Sequence, residues 1–124
     1  MHRHLPLAIS VAAQSEGVGK RKAFRVGAVL YKSKTVYSAR CNQLKTHPLL
    51  APYTKWPFLH AESSCIIHHG IDHCSGLDLL GVRLTPSGKL TMAKPCPTCE
   101  SFMQDAGIRN VYYSNQEGEV VRND

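Results

Sequence analysis

Leu59-His60-Ala61-Glu62, followed after the intervening residues 63–94 by Pro95-Cys96-Pro97-Thr98-Cys99, decides how this chain is read. One imidazole and two thiols form a donor set suited to zinc, and three protein ligands leave the fourth tetrahedral position open to water. That is the mark of a catalytic rather than a structural site. Glu62 stands two residues from His60, within reach of such a water without binding the metal. Both segments fall at expected helix starts. His60 opens a helix running to about His69, with Gly70 as its stop. Pro97 fits the first turn of a second helix, closed by Gly107. Cys96 at the cap and Cys99 one turn on can bring both sulfurs to one ion, where the helix dipole favours thiolates. A lone C-x-x-C would be weak evidence; here the flanking Pro95, the H-x-E and the helix starts agree.

Outward from these segments the pattern alternates. Leu5, Ala8, Ile9, Ala12 and Ala13 have helical spacing over residues 5–16, with Gly17 and Gly19 as stops. Phe24 to Tyr31 reads as a strand buried on both faces, Lys32-Ser33-Lys34 as a turn, and Thr35 to Cys41 as the returning strand. Residues 42–58, broken by Pro48, Pro52 and Pro57, read as a loop. Leu79 to Leu84 is a further strand, Thr85-Pro86-Ser87-Gly88 a turn, and Lys89 to Ala93 a lead into Pro95. Ile108 to Tyr113 is a strand. Asn115 to Gly118 leaves room only for a turn, so Glu119 to Val121 is expected to return antiparallel at the edge. The order α-β-β-α-β-α-β-(β) predicts an α/β fold, a mixed sheet covered by helices, in one domain over 1–124.

Composition narrows the class. The chain has 124 residues, 43% hydrophobic and 19% charged, ordinary values for a soluble globular protein. No apolar run approaches a membrane span, and Met1-His2-Arg3-His4-Leu5-Pro6 lacks the features of a signal peptide. Cys41, Cys65, Cys74, Cys96 and Cys99 make an odd set containing one C-x-x-C, which points to metal and thiols in a reducing compartment, the cytoplasm being expected. The net charge of +6 suits a nucleotide phosphate or a nucleic acid strand, although the basic residues are spread out as on a solvated surface.

These residues resemble the cytidine and deoxycytidylate deaminase superfamily, whose pattern is H-x-E … P-C-x-x-C. The resemblance starts at Phe24-Arg25-Val26-Gly27-Ala28-Val29-Leu30, passes through Cys41-Asn42 and both metal segments, and ends at Val111-Tyr112-Tyr113. It implies a three-layer α-β-α cytidine-deaminase-like fold with a central mixed five-stranded sheet. It further implies one zinc ion held by His60, Cys96 and Cys99, with Glu62 shuttling protons. Asn42 would bond the sugar or base, Phe24 and Val26 would line the pocket beside Pro95, and the Ala61 N–H would meet the base carbonyl. A homo-oligomer is implied as well. Two departures stand out: nucleoside enzymes of this type usually carry cysteine where this chain has His60, and a carboxylate where it has Leu44. A histidine ligand is typical of the deoxycytidylate, tRNA and polynucleotide branches. The loop Asn42 to Pro48 resembles that of small phage-encoded deoxycytidylate-deaminase-like proteins, which would place the chain in a host cytoplasm.

The expected activity is hydrolytic deamination of a cytosine nucleotide or nucleoside, deoxycytidylate first. The alternatives are deamination of cytosine or adenine in single-stranded DNA or RNA, and a non-catalytic zinc module binding nucleic acid. His47 and Trp56, with Lys45, Tyr53 and Lys55, are candidates for the pocket rim, although Trp56 and Phe58 could simply pack the start of the helix. Lys20, Arg21, Lys22 and Arg25 could touch nucleic acid or remain solvated. Cys65, His68, His69, His73 and Cys74 form a second donor cluster, with Cys65 expected in the core and the histidines exposed. His2 and His4 are expected to be terminal and disordered.

Overall fold

The computed structural model describes residues 2–15, 25–42 and 60–123. Its organising strand is β1, Arg25–Lys32, whose side chains alternate between two different layers. Ala28 and Leu30 join a core with Ala61, Cys65, Ile66, Leu79, Phe102 and Met103. Val29 and Tyr31 join a second core with Leu5, Ala8, Ala12, Leu80 and Val82. An apolar run with no polar alternation is what a strand covered on both faces requires.

Three helices supply the cover. Helix α1 is Leu5–Ala13, α2 is Ala61–His69 and α3 is Pro97–Asp105. The strands after β1 are β2 (Thr35–Cys41), β3 (Asp78–Leu84), β4 (Leu90–Thr91), β5 (Asn110–Ser114) and β6 (Val120–Arg122). They run in the order β2-β1-β3-β5-β6, with β4 added to β3. Only the β3–β5 pairing is parallel, so the sheet is mixed. Helix α1 covers one face; α2 and α3 cover the other. This is the three-layer α/β arrangement expected from the sequence.

Gly27 sets the α1 layer. A Cβ there would lie 2.5 Å from the Ala8 carbonyl oxygen and 2.6 Å from the Ala12 nitrogen, so only glycine lets α1 lie this close to β1. The β1–β2 connection turns at Ser33, which adopts a left-handed φ of 52°. The Thr85–Gly88 and Asn115–Gly118 turns form as expected, the latter closed by the Glu117 and Glu119 N–H groups donating to Asn115 Oδ1. Strands β5 and β6 pair antiparallel, as the short turn between them requires.

Several expectations need correction. The five expected strands are joined by a sixth, because Lys89–Ala93 is more than a lead-in: Leu90 and Thr91 pair with Leu84 and Arg83. Ser114 Oγ ties this edge down by donating to the Thr91 carbonyl, 2.7 Å away. Helix α1 ends at Ala13, short of Gly17, and the Gln14 and Ser15 N–H groups bond back to Val11 and Ala12. His2 and His4, expected to be free, are packed against Tyr31 of β1. His4 is only 6% exposed and bonds the Ser33 carbonyl through Nε2 at 2.7 Å. His2 Nε2 is hydrogen-bonded to the Tyr31 hydroxyl at 2.7 Å. A start position alone signals fraying; ring partners on β1 supply the tie that overrides it.

Candidate metal and proton-transfer site

The chain reaches the site from two helix starts. His60 is the N-cap of α2, in extended backbone (φ −71°, ψ 151°), and Cys96 is the N-cap of α3 in the same conformation (φ −72°, ψ 162°). Cap residues with extended backbone aim their side chains across the first turn. The Cys96 sulfur does so by accepting from the Cys99 N–H at 3.5 Å, and Pro97 presets the turn between them. His60 Nδ1 then lies 2.9 Å from Cys99 Sγ and 3.8 Å from Cys96 Sγ.

Among the described residues, His60, Cys96 and Cys99 are the one group of three or more His, Cys, Asp or Glu side chains that could hold a metal ion; their donor atoms all lie within 4.8 Å of one another. Zn–N and Zn–S bonds of ordinary length in a tetrahedron put neighbouring donors about 3.5–3.8 Å apart. The observed 2.9 and 3.8 Å straddle that range. One imidazole and two sulfurs at these distances fit zinc in both geometry and softness.

Charge is arranged to match. The hydrogen bond from Cys99 draws the Cys96 thiol down to about 4 against the opposing effect of burial, with help from His60. The same bond, with burial, pushes Cys99 up, so the pair shares one thiolate. Burial alone would lower His60; its hydrogen bond to Cys96 and the nearby Glu62 and Cys96 charges outweigh it and leave the ring above its usual value. Burial raises the Glu62 carboxyl, opposed by His60 and by a hydrogen bond to Cys99.

A glycine faces Glu62 from the sheet. Residues 79 and 81 of β3 face α2 and α3, and a Cβ on Gly81 would sit 3.4 Å from Glu62 Oε1. The carboxylate therefore lies over bare backbone, 5% exposed, in the first turn of α2. Ser63 Oγ approaches Cys99 Sγ at 3.9 Å. The sequence reading did not single out Gly81, although an isolated glycine between Leu80 and Val82 is the signal of a close approach.

The remaining candidates divide. Ala61 is fully buried as the first residue of α2, where helix N–H groups have no partner within the helix. Pro95 is buried next to Cys96, and Val26 is half-buried against the core of the α2 and α3 layer. Asn42, 6% exposed, is bound to Val26 twice: its N–H donates to the Val26 carbonyl, and its Oδ1 accepts from the Val26 N–H, each at 3.1 Å. Phe24, Lys45, His47, Tyr53, Lys55, Trp56 and Phe58 lie outside the described residues, as do Lys20, Arg21 and Lys22. Arg25 is described, and its Nη2 donates to the Ala13 carbonyl at 2.6 Å. The second donor cluster does not converge on a point. Cys65 and Cys74 are fully buried, with their thiols on the Ala28 and Gly70 carbonyls, while His68 and His73 are exposed.

A mixed sheet with two helix starts converging on a His-Cys-Cys triangle beside a buried glutamate defines a class of zinc-binding hydrolytic protein. The chain belongs to the cytidine and deoxycytidylate deaminase family, whose zinc-binding region matches residues 2–115. Solved structures share the fold. The deoxycytidylate deaminase of cyanophage S-TIM5 in apo form is 21% identical, with a TM-score of 0.64 over 94% of this chain and 86% of its own. The same enzyme in complex with dCMP and dUMP is 20% identical, with a TM-score of 0.63 over 94% and 85%. The cytidine deaminase of Burkholderia pseudomallei is 20% identical, with a TM-score of 0.58 over 100% and 93%. No curated protein matches the chain significantly in sequence. No helix among the described residues is long and apolar enough to cross a membrane.

Proposed function

We propose that residues 1–124 form one catalytic unit that hydrolyses the exocyclic amine of a cytosine nucleotide or nucleoside, giving the uracil form and ammonia, with deoxycytidylate as first substrate. The observation that carries this reading is Glu62: a buried carboxyl beside the His60, Cys96 and Cys99 donors and outside their triangle. A structural metal site has no use for such a group.

His60, Cys96 and Cys99 would hold one zinc ion, which when bound supplies the Lewis acidity that makes water a competent nucleophile near neutral pH. Glu62 takes the proton that the attacking water loses and hands it to ring nitrogen N3 as oxygen adds to C4. It then delivers the second proton to the departing amine, so that ammonia leaves and the carbonyl forms. Burial favours this double duty, because a carboxyl with a raised proton affinity accepts readily and can donate again. The Ala61 N–H faces the base carbonyl. Asn42, Val26 and Pro95 form the described part of the pocket wall; Phe24, His47 and Trp56 are further candidates for substrate contact. Supporting a nucleotide substrate, the S-TIM5 enzyme binds dCMP and dUMP, and a net charge of +6 favours a phosphate monoester. The unit works as a homo-oligomer in the cytoplasm.

Single-strand deamination is the second reading, favoured by the same charge. Ammonia release by zinc-loaded protein is the test, measured on cytidine, deoxycytidine, their monophosphates, adenosine, guanine and short single-stranded DNA and RNA. Turnover of deoxycytidylate carries the proposal. Activity confined to a strand, weakening with salt at a log–log slope of several units, moves the chain to the second reading.

A further inference from the structure

Each sulfur of the candidate metal site is met by a further polar group. Cys96 Sγ accepts from the Cys99 N–H at 3.5 Å. Cys99 Sγ lies 3.9 Å from the hydroxyl of Ser63, a buried contact between α2 and α3. Sulfur is larger than oxygen, so a hydroxyl stands farther off than in an O–H···O bond. Ser63 follows Glu62 directly in α2 and is 3% exposed. A serine inside a helix commonly turns its hydroxyl back onto a carbonyl of the preceding turn. Among the described residues, the Ser63 hydroxyl instead has Cys99 Sγ as its one hydrogen-bond partner. Ser64, equally buried on the same helix, serves a different element: its Oγ accepts from Arg40 Nε of β2 at 3.5 Å.

We infer that Ser63 is a positioning residue for the metal: its hydroxyl donates to the Cys99 sulfur, so that each of the two thiolates carries a hydrogen bond when the ion is bound. A cysteine binds zinc as thiolate, with no proton left to give, and this makes the hydroxyl the donor. A hydrogen bond to a charged acceptor is stronger than one between neutral groups. Two thiolates offset the whole charge of a divalent ion. A donor on each sulfur draws electron density back from the metal and fixes the direction in which the sulfur points. Groups that hold a ligand from behind in this way set metal affinity almost as much as the ligands do. The inference rests on the reading of His60, Cys96 and Cys99 as metal ligands and is independent of the choice of substrate.

The experiment uses the full-length protein as wild type, Ser63→Ala and Ser64→Ala. The last removes a hydroxyl from the same helix, but one that meets Arg40 instead of a sulfur. Zn2+ affinity is measured by competition with a chromophoric chelator. The sulfur-to-metal charge-transfer band is recorded after loading with Co2+ in place of zinc. Ser63→Ala is expected to weaken Zn2+ binding about tenfold. It should also move the Co2+ band to longer wavelength, because a thiolate that loses a hydrogen bond gives up electron density more easily. Ser64→Ala should match wild type in both readouts. A Ser63→Ala protein with the affinity and band of wild type overturns the inference. So does a loss of affinity with the band unmoved, or a change that Ser64→Ala reproduces, since either is an effect of packing. A wild type that binds neither ion overturns the inference together with the metal reading. A wild type that binds both, shows the Ser63→Ala changes and releases ammonia from no cytosine compound refutes the proposed reaction and upholds the role of Ser63.

Discussion

Glu62 and Gly81 mark what a local motif reveals of the site and what it leaves hidden. The motif reading found Glu62 from its spacing to His60, because ligand spacing is a local property of sequence. It missed Gly81, because its partner is 19 residues away in sequence (81 − 62) and meets it across the sheet. Gly81→Ala should fold and keep most activity, since its Cβ would make an ordinary 3.4 Å contact with Glu62 Oε1. Gly81→Val should displace the carboxyl and lower kcat by about tenfold or more, with zinc content by elemental analysis unchanged. Cys99→Ala should lose bound zinc. It should also lower the melting temperature, because Cys99 is 1% exposed within the α2 and α3 core.

At the scale of elements, α1 is the most sensitive. Gly27→Ala would drive a methyl into backbone atoms of Ala8 and Ala12 and should cost about 1–3 kcal/mol by chemical denaturation, with little change in the metal site. The start of α1 carries a pH dependence. Burial and the neighbouring His4 hold His2 below its usual value, with Asp78 opposing, and its ring rests on Tyr31 and Tyr112. The folded state thus prefers the neutral ring. The stability this contributes is complete above the unfolded value of about 6.5 and is lost as pH falls through the lower folded value. Denaturant titrations at pH 7.5 and 5.5 should show a smaller acid loss for His2→Gln than for wild type. The central elements were legible because their apolar runs and glycine stops are strong local signals. The end of α1, the β4 pairing and the histidine anchors were not, since each is set by contacts across the sheet.

For the whole molecule, one sheet carries two unlike faces. The α1 face ties down the chain start, and the α2 and α3 face gathers metal donors and a buried acid. The Arg109 guanidinium clamps Asp78 through two bonds, at 3.1 and 2.8 Å, fastening the residue before β5 to the start of β3. Fold and donor set could be read from sequence because both follow from short-range pattern. The packing around Asn42 could not, because it joins the end of β2 to Val26 and to Ser15, both distant in the chain. The most direct test of the account is Glu62→Gln, compared with wild type at equal zinc content, with ammonia release from deoxycytidine monophosphate as the readout. Full zinc occupancy and a loss of turnover of roughly 10²–10⁴-fold are expected, the usual weight of a general acid–base group. A Glu62→Gln protein that releases ammonia as fast as wild type would contradict it.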